Sequence, residues 1–248
     1  MDAINELKLI DEFRKVLANY QVSENAKQTL ARLKLVLLVG PSSSGRNTII
    51  NELLKSGKYH FITSDTTRQP RINNGVLEEH GREYWFRSEE EILHDLQAGE
   101  FLEAAIIHNQ QVSGISMREL AAAADEGRIA INEIEVVGAD NIHEASPSAL
   151  FFFVLPPSFD EWMARRDLRG RLPMDEVRRR LESSVVELTT GLQRDYYRFI
   201  VNDTFTHAAK RIDQMIDDDY IDPEYQAQAK ELAAEILADT KKYLANLG

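Results

Sequence analysis

Apolar positions along the chain form short continuous runs and longer amphipathic stretches. Three runs are almost wholly apolar and rich in β-branched or aromatic residues, which is typical of strands covered on both faces: Leu35–Val39, Ile129–Val137 and Ala149–Leu155. Shorter runs predict further strands at Tyr59–Thr63, Tyr84–Phe86, Phe101–Ile107 and Phe199–Val201.

Helical spacing of apolar residues separates these runs. Predicted helices are Thr48–Leu54, a segment from Ser88 to Ala98, Met117–Glu126, Phe159–Leu168, a long helix to about Thr190, and His207–Met215. Ser88 with Glu91 predicts a capping box, and Gly99 predicts the end of that helix. The alternation predicts an α/β fold with a mainly parallel core sheet and helices on both faces.

Both ends of the chain show helical spacing. Residues 1–33 predict one amphipathic helix and a second that starts after Ser23. An acidic break, Asp217–Asp222, precedes a predicted helix over Glu224–Leu247. These ends are therefore expected to be helical extensions, which could carry a homodimer or partner surface.

Composition narrows the classes of function. The 248 residues contain no cysteine, so disulfides and thiolate metal sites are excluded. The net charge of −12 opposes binding to nucleic acid or an anionic membrane, so arginine clusters stand out as local anion sites. With no apolar run of about 18 residues and no basic signal at the start, a cytoplasmic protein is expected.

A glycine-rich loop follows the first strand and precedes a helix, the context of a phosphate-binding loop. It reads Gly40-Pro-Ser42-Ser43-Ser44-Gly45-Arg46-Asn47-Thr48 and predicts an ATP site. The motif expects Lys and Ser or Thr where this chain has Arg46 and Asn47. Arg46 keeps a positive charge for the phosphates, and Asn47 or Thr48 could offer an oxygen to Mg²⁺.

A second candidate anion site lies on a polar loop. Arg68 and Arg71, three residues apart and near Ser64 and Tyr84, could grip one dianionic phosphate with forked donors.

These motifs, taken in order, resemble the guanylate kinase family over roughly residues 34–216. The resemblance adds further blocks to the loop and to Thr66-Thr-Arg-Gln-Pro-Arg71, namely Gly81-Arg-Glu-Tyr84-Trp-Phe86, Gly99-Glu-Phe-Leu-Glu103, Ile131–Glu135 followed by Gly138, Leu155-Pro-Pro-Ser158, Arg169-Gly170, Arg180-Leu181 and Val201-Asn202-Asp203. It implies a P-loop nucleoside monophosphate kinase fold with an acceptor-binding lobe around 64–117 and a lid around 165–180. The extensions are then 1–33 and 217–248.

The resemblance also implies roles for individual residues. Ser64, Arg68, Arg71 and Tyr84 would hold the GMP phosphate, Glu103 would accept hydrogen bonds from guanine, and Ser116 and Glu133 would complete the acceptor site. Asn202 would lie on the adenine side of ATP. The arginines expected to stabilise the transferred charge are Arg46, Arg165, Arg169 and Arg180.

The chain departs from the family's pattern in the acceptor lobe. Where the family has Tyr-Gly-Thr-Ser, it reads Ser113-Gly-Ile-Ser116. The family's two strand aspartates are Glu133 and Glu135, and Ile72–His80 lengthens the acceptor loop.

Three hypotheses follow. The leading one is transfer of the γ-phosphoryl group of Mg-ATP to GMP or dGMP. A non-catalytic module that binds GMP or a phosphorylated partner is the second, and a related kinase with another phosphorylated acceptor is the third.

Overall fold

The computed structural model describes residues 7–73, 75–107, 109–167 and 173–247. Its helices are α1 Ile10–Leu17, α2 Glu24–Arg32, α3 Arg46–Leu54, α4 Glu89–Gln97, α5 Met117–Asp125, α6 Val136–Ala145, α7 Phe159–Asp167, α8 Met174–Gln193, α9 Phe205–Asp217 and α10 Pro223–Asn246. Its strands are β1 Leu35–Val39, β2 Tyr59–Phe61, β3 Asp65–Thr66, β4 Ile72–Asn73, β5 Val76–Leu77, β6 Trp85–Phe86, β7 Phe101–Ile107, β8 Gln111–Ser116, β9 Ile129–Glu133, β10 Leu150–Leu155 and β11 Tyr197–Val201.

The α/β prediction with a mainly parallel sheet is confirmed. Five strands form a sheet in the order β11-β10-β1-β9-β2. β10 pairs in parallel with β1 and with β11, so that Phe151 lies opposite both Leu37 and Tyr197. All five residues of β1 are buried, as expected for a strand covered on both faces.

The contacts divide the chain into two units. Unit 1 comprises Met1–Leu35, His60–Ala130 and Asp140–Ala149, and unit 2 comprises Val36–Tyr59, Ile131–Ala139 and Leu150–Gly248. The N-terminal helices therefore belong with the predicted acceptor lobe, and the C-terminal helix belongs with the glycine-rich loop.

Unit 1 contains a second sheet, in the order β6-β3-β8-β7. β8 pairs antiparallel with both β3 and β7. The amphipathic helix α1 packs against this unit, where the fully buried Phe13 joins a cluster with Ile92, Leu96, Phe101 and Val112. Ser23 accepts a hydrogen bond from Ala26 N at 3.1 Å and caps α2, as predicted.

In unit 2, α10 packs on α8 and β11. Its buried positions are Ala229, Ala233, Ile236 and Thr240. The side of this helix that carries these residues is thus covered by α8 and β11 of the chain itself. Within the described ranges, no helix has the length and the apolar character needed to cross a bilayer.

Several predicted boundaries were wrong. The second apolar run, Ile129–Val137, ends as a strand at Glu133. Its last two residues, Val136 and Val137, begin a helix that the sequence did not predict. The polar segment around Arg68 and Arg71, expected to be a loop, contains three two-residue strands, β3, β4 and β5. Strand β8 was also missed, because its alternation is interrupted by Gly114 and is too weak to stand out.

The predicted capping box is confirmed. The Ser88 hydroxyl accepts from Glu91 N at 3.1 Å, and the Glu91 carboxylate accepts from Ser88 N at 2.9 Å. Gly99, with φ of +74°, follows α4 as its predicted end.

Candidate functional site

The glycine-rich loop turns sharply between β1 and α3. Gly40, Ser43 and Gly45 have φ values of +136°, +69° and +98°. A Cβ atom at Gly40 would lie 2.4 Å from Val154 O, and one at Gly45 would lie 2.1 Å from Asn202 Nδ2. The backbone path therefore requires glycine at both positions, and it places the start of α3 after the loop, where free N–H groups favour anions.

Asn202 holds this loop from the end of β11. Its buried amide donates to Ser44 O at 2.8 Å, and its backbone N–H donates to Leu155 O at 2.8 Å. The Ser44 side chain is fully buried, and its hydroxyl has no hydrogen-bond partner among the described residues. A buried hydroxyl without a partner is costly, so this group fits a loop that binds a polar ligand.

Arg46 occupies the position where the motif has lysine. Its Nε lies 3.2 Å from the Glu133 Oε2, and its Nη1 donates to Ile134 O at 3.2 Å. Both acceptors lie at the end of β9 within unit 2. Glu133, which the resemblance assigned to the acceptor site, is thus placed beside the P-loop arginine.

A second carboxylate faces the same arginine. Burial raises the pKa of Glu187, on α8, to about 7. The charge of Arg46 opposes this rise, whereas the charge of Glu135 adds to it. Glu187 Oε2 is buried and makes no hydrogen bond to any described residue. The P-loop arginine therefore pairs with Glu133 and also interacts with Glu187, whose charge changes near neutral pH.

Two of the three predicted lid arginines are described, and Arg169 lies outside the described residues. Arg165, near the end of α7, donates to Asn202 O at 3.0 Å and Asp203 O at 3.3 Å. Its Nε also pairs with Glu161 at 3.1 Å. Arg180 pairs with Glu176, one turn earlier on α8. The structure thus brings Arg165 to the residue that holds the glycine-rich loop.

In unit 1, Arg68 is held by a carboxylate that the sequence reading missed. Its guanidinium makes a two-pronged ion pair with Glu78, with Nη2 to Oε1 at 2.9 Å. The same guanidinium lies over the rings of Tyr84, at 4.7 Å, and Phe86, at 5.4 Å. Both charged side chains are almost completely buried. The fork is therefore fixed in orientation before any ligand arrives.

The extra acceptor-loop residues supply this carboxylate. Ile72 and Asn73 pair with Val76 and Leu77 as a small hairpin, β4–β5. Glu78 follows the hairpin, where its backbone N–H donates to Arg71 O and its Oε2 accepts from Arg71 N, both at 2.9 Å. The sequence held one signal for this pair, because a buried arginine needs a carboxylate partner. Glu78 and Glu79 satisfy that requirement equally, so the sequence could not identify Glu78.

The other predicted phosphate ligands lie in the same unit. Arg71 is exposed, and Ser64 is half-buried. Ser64 O accepts from Trp85 N at 2.9 Å, which sets Tyr84 beside the same turn. The structure therefore brings the backbone of Ser64 next to the segment that carries Tyr84, and it links Arg68 to Arg71 through Glu78.

Glu103 lies half-buried on β7, opposite Ile115 of β8. Ser113, which stands where the family has tyrosine, shares a hydrogen bond of 2.7 Å with the Thr66 hydroxyl. The Ser116 hydroxyl is buried without a partner among the described residues. Ser116 lines a cavity of about 270 Å³ whose other walls include Asn25 and Thr29 of α2.

Known proteins resemble most of this chain. A family model described as guanylate kinase matches residues 32–219. The guanylate kinase of Corynebacterium diphtheriae is 35% identical over 185 residues, which are 74% of this chain and 94% of that protein. The guanylate kinase of Rhodococcus jostii is 33% identical over 199 residues, covering 79% and 93%.

A solved structure agrees with these relatives. The guanylate kinase from Anaplasma phagocytophilum superimposes with a TM-score of 0.55 at 25% identity, over 77% of this chain and 87% of that one.

Proposed function

Because the chain belongs to the guanylate kinase family, we propose that it is an ATP-dependent nucleoside monophosphate kinase that phosphorylates GMP or dGMP. The observation that carries the proposal is the glycine-rich loop, whose positive-φ turn, buried Ser44 hydroxyl and following helix suit the phosphates of a nucleotide. The oriented guanidinium of Arg68 in unit 1 supports an anionic acceptor.

The reaction forms one bond and breaks another. An oxygen of the acceptor's phosphate attacks the γ-phosphorus of ATP while the bond from that phosphorus to the β,γ-bridging oxygen breaks, giving ADP and a nucleoside diphosphate. Such transfer needs little covalent help from the protein and depends on positioning and charge neutralisation. The arginines of this chain suit that task.

Unit 1 would bind the acceptor. Arg68 and Arg71 would hold its phosphate with Tyr84 and Ser64 nearby, and Glu103 would accept from the ring N–H and the exocyclic amine of guanine. Adenine lacks this pair of donors on the same edge, so a carboxylate left without partners would disfavour it.

Unit 2 would bind ATP. Backbone N–H groups of Gly40–Thr48 would surround the phosphates, with Asn202 holding the loop. Arg46, Arg165 and Arg180 would neutralise the transferred charge, together with Arg169 from outside the described residues.

Mg²⁺ would neutralise part of the charge on the phosphate oxygens. Asn47 and Thr48 are exposed at the start of α3 and offer neutral oxygen ligands. No group of three or more His, Cys, Asp or Glu able to hold a metal occurs among the residues that the structure covers. The ion would therefore be held chiefly by the nucleotide, as Mg²⁺ commonly is in kinases.

An ADP-release assay with Mg-ATP and a panel of GMP, dGMP, AMP, IMP and a ribose bisphosphate tests the proposal. We expect turnover with GMP and dGMP in preference to the others. Turnover with the sugar phosphate alone would identify a different acceptor. Absence of turnover, with GMP binding but no ATP binding by calorimetry, would instead identify a non-catalytic module.

A further inference from the structure

The phenol of Tyr20, in the N-terminal extension, bonds to both backbone groups of one strand residue. Its oxygen accepts from Phe101 N at 2.8 Å and donates to Phe101 O at 2.6 Å. Burial is the main reason why the pKa of this phenol is raised to about 12, so the group keeps its proton at neutral pH and can donate. Tyr20 thus replaces a neighbouring strand at the start of β7.

The strand is irregular at this point. Phe101 pairs with Ser116, but Glu103 pairs with Ile115, so β7 has one residue more than β8 in this stretch. Such a bulge changes which side chains face each side of the sheet, and bulges often direct a side chain into a binding site. The extra residue therefore determines the direction of Glu103.

The N-terminal extension also makes hydrogen bonds to the residues just before the bulge. Ser23 N donates to Gly99 O at 3.0 Å, and the Ser23 hydroxyl donates to Glu100 at 3.2 Å. A Cβ atom at Gly99 would lie 2.8 Å from Ser23 N, so glycine permits this close approach. Phe13 of α1 packs in the same buried cluster as Phe101. The hydrogen bonds from Tyr20 and Ser23 thus fix the backbone at the start of β7, whereas Phe13 contributes apolar packing to the stability of the unit.

We propose that Tyr20 is a positioning residue for base recognition: it holds the bulge of β7 in the register that directs the Glu103 carboxylate to the guanine edge. The inference rests on the proposed function, since it takes Glu103 as the group that accepts from the base. It gives the N-terminal extension a part in base recognition that acts through the backbone of β7.

Calorimetry with GMP, IMP and ATP on the full chain and its Tyr20→Phe variant tests this role. Guanine offers Glu103 a ring N–H and an amine, whereas the base of IMP lacks the amine. A misdirected carboxylate should therefore weaken GMP binding more than IMP binding. We expect about a tenfold rise in the Kd for GMP, a smaller rise for IMP, and an unchanged Kd for ATP.

Two variants separate positioning from general stability. Phe13→Leu weakens the packing of the same extension but keeps the phenol, so it should lower Tm without changing the ratio of GMP to IMP affinity. Tyr225→Phe removes a phenol that accepts from Val201 N at 2.8 Å in unit 2, and it should also leave this ratio unchanged.

Equal losses of GMP and IMP affinity in Tyr20→Phe, or a lower Tm with unaltered affinities, would overturn the inference. Failure of the proposed function gives a different result in the parent protein itself. The parent would show no ADP release with GMP if the chain is not a kinase, and no preference for GMP over IMP if Glu103 does not accept from the base. If Tyr20→Phe does not fold, Ser23→Ala can be used, because it removes the neighbouring hydrogen bond to Glu100. GMP affinity should again fall more than IMP affinity in that variant. An unchanged ratio in that variant would count against the role.

Discussion

The guanidinium of Arg46 pairs with the Glu133 carboxylate at 3.2 Å, in a chain that has arginine for the usual P-loop lysine and glutamate for the family's strand aspartate. Glu133 is one methylene longer than aspartate, and arginine has a planar fork in place of a compact ammonium. The second donor of that fork reaches Ile134 O. The two replacements thus meet in one contact, which favours an adapted site over a decayed one.

Restoring the motif's lysine should therefore lower activity. In Arg46→Lys a single ammonium cannot bind Glu133 and Ile134 O at once, as the two guanidinium nitrogens do. The positive charge of residue 46 therefore moves relative to the phosphates. We expect kcat in the ADP-release assay to fall by about tenfold, a change in the range that small misplacements produce. Arg32→Lys makes the same exchange at an exposed position at the end of α2 and serves as the control, with activity close to the parent's. A large gain of activity in Arg46→Lys would show that the loop had decayed instead.

Binding of the acceptor's phosphate should depend on the shape of the Arg68 side chain and not on its charge alone. Arg68→Lys keeps the charge but loses the two-pronged pair with Glu78 and the stacking on Tyr84. We expect kcat/KM for GMP to fall by about 10- to 100-fold, equivalent to about 1.4–2.8 kcal/mol, while KM for ATP stays the same.

Arg82→Lys is the matched control for this change. Arg82 lies in the same loop region and pairs with Glu79 and Glu83 at the exposed surface, where such pairs contribute little. Its kinetics should match those of the parent. A similar loss of kcat/KM for GMP in both variants would mean that the substitutions had disturbed the loop as a whole and not the binding of phosphate by Arg68.

Sequence patterns predicted the elements whose signal is local. β1 and β7 have the predicted bounds, and the capping box of α4 could be read from Ser88 and Glu91. The contact between Glu78 and Arg68 could not be read, because it depends on how a hairpin folds back. Nor could the bond from Tyr20 to Phe101, which joins residues 81 positions apart. Tertiary contacts of this kind leave no periodic trace in the sequence.

The protonation of Glu187 should make stability depend on pH. Its pKa is raised to about 7 in the folded protein, so the folded state binds more protons than the unfolded state between about pH 4.5 and 7. The free energy of unfolding therefore has its full value, as far as Glu187 is concerned, below this pH window. It decreases as the pH rises through the window. At about 1.4 kcal/mol per pH unit, the loss is at most about 3.5 kcal/mol.

Glu187→Gln removes the ionisation and nearly keeps the shape. Its Tm relative to the parent should therefore be higher at pH 8 than at pH 5, by a few degrees for a chain of this size. Glu182→Gln, at an exposed position of the same helix, should show no such difference. The same offset at both pH values for Glu187→Gln would mean that Glu187 is already ionised throughout.

The C-terminal extension should stabilise the edge of the main sheet. The side-chain amide of Gln226, on α10, accepts from Phe199 N at 2.7 Å and donates to Phe199 O at 3.0 Å, as a neighbouring strand would. β11 ends the sheet order, and edge strands with unpaired backbone groups invite pairing with other chains. Gln226→Ala should lower the free energy of unfolding by about 1–3 kcal/mol, because both backbone groups lose their partner.

Gln228→Ala supplies the comparison in urea unfolding. Gln228 is exposed on the same helix, and its amide donates to Glu224 at 3.4 Å, a long and exposed contact. Its removal should therefore change stability by less than about 0.5 kcal/mol. Kinetics with GMP should be the same in both variants, since Gln226 acts on β11 and not on the acceptor. Equal unfolding midpoints for the two variants would show that the amide of Gln226 contributes nothing to the sheet edge.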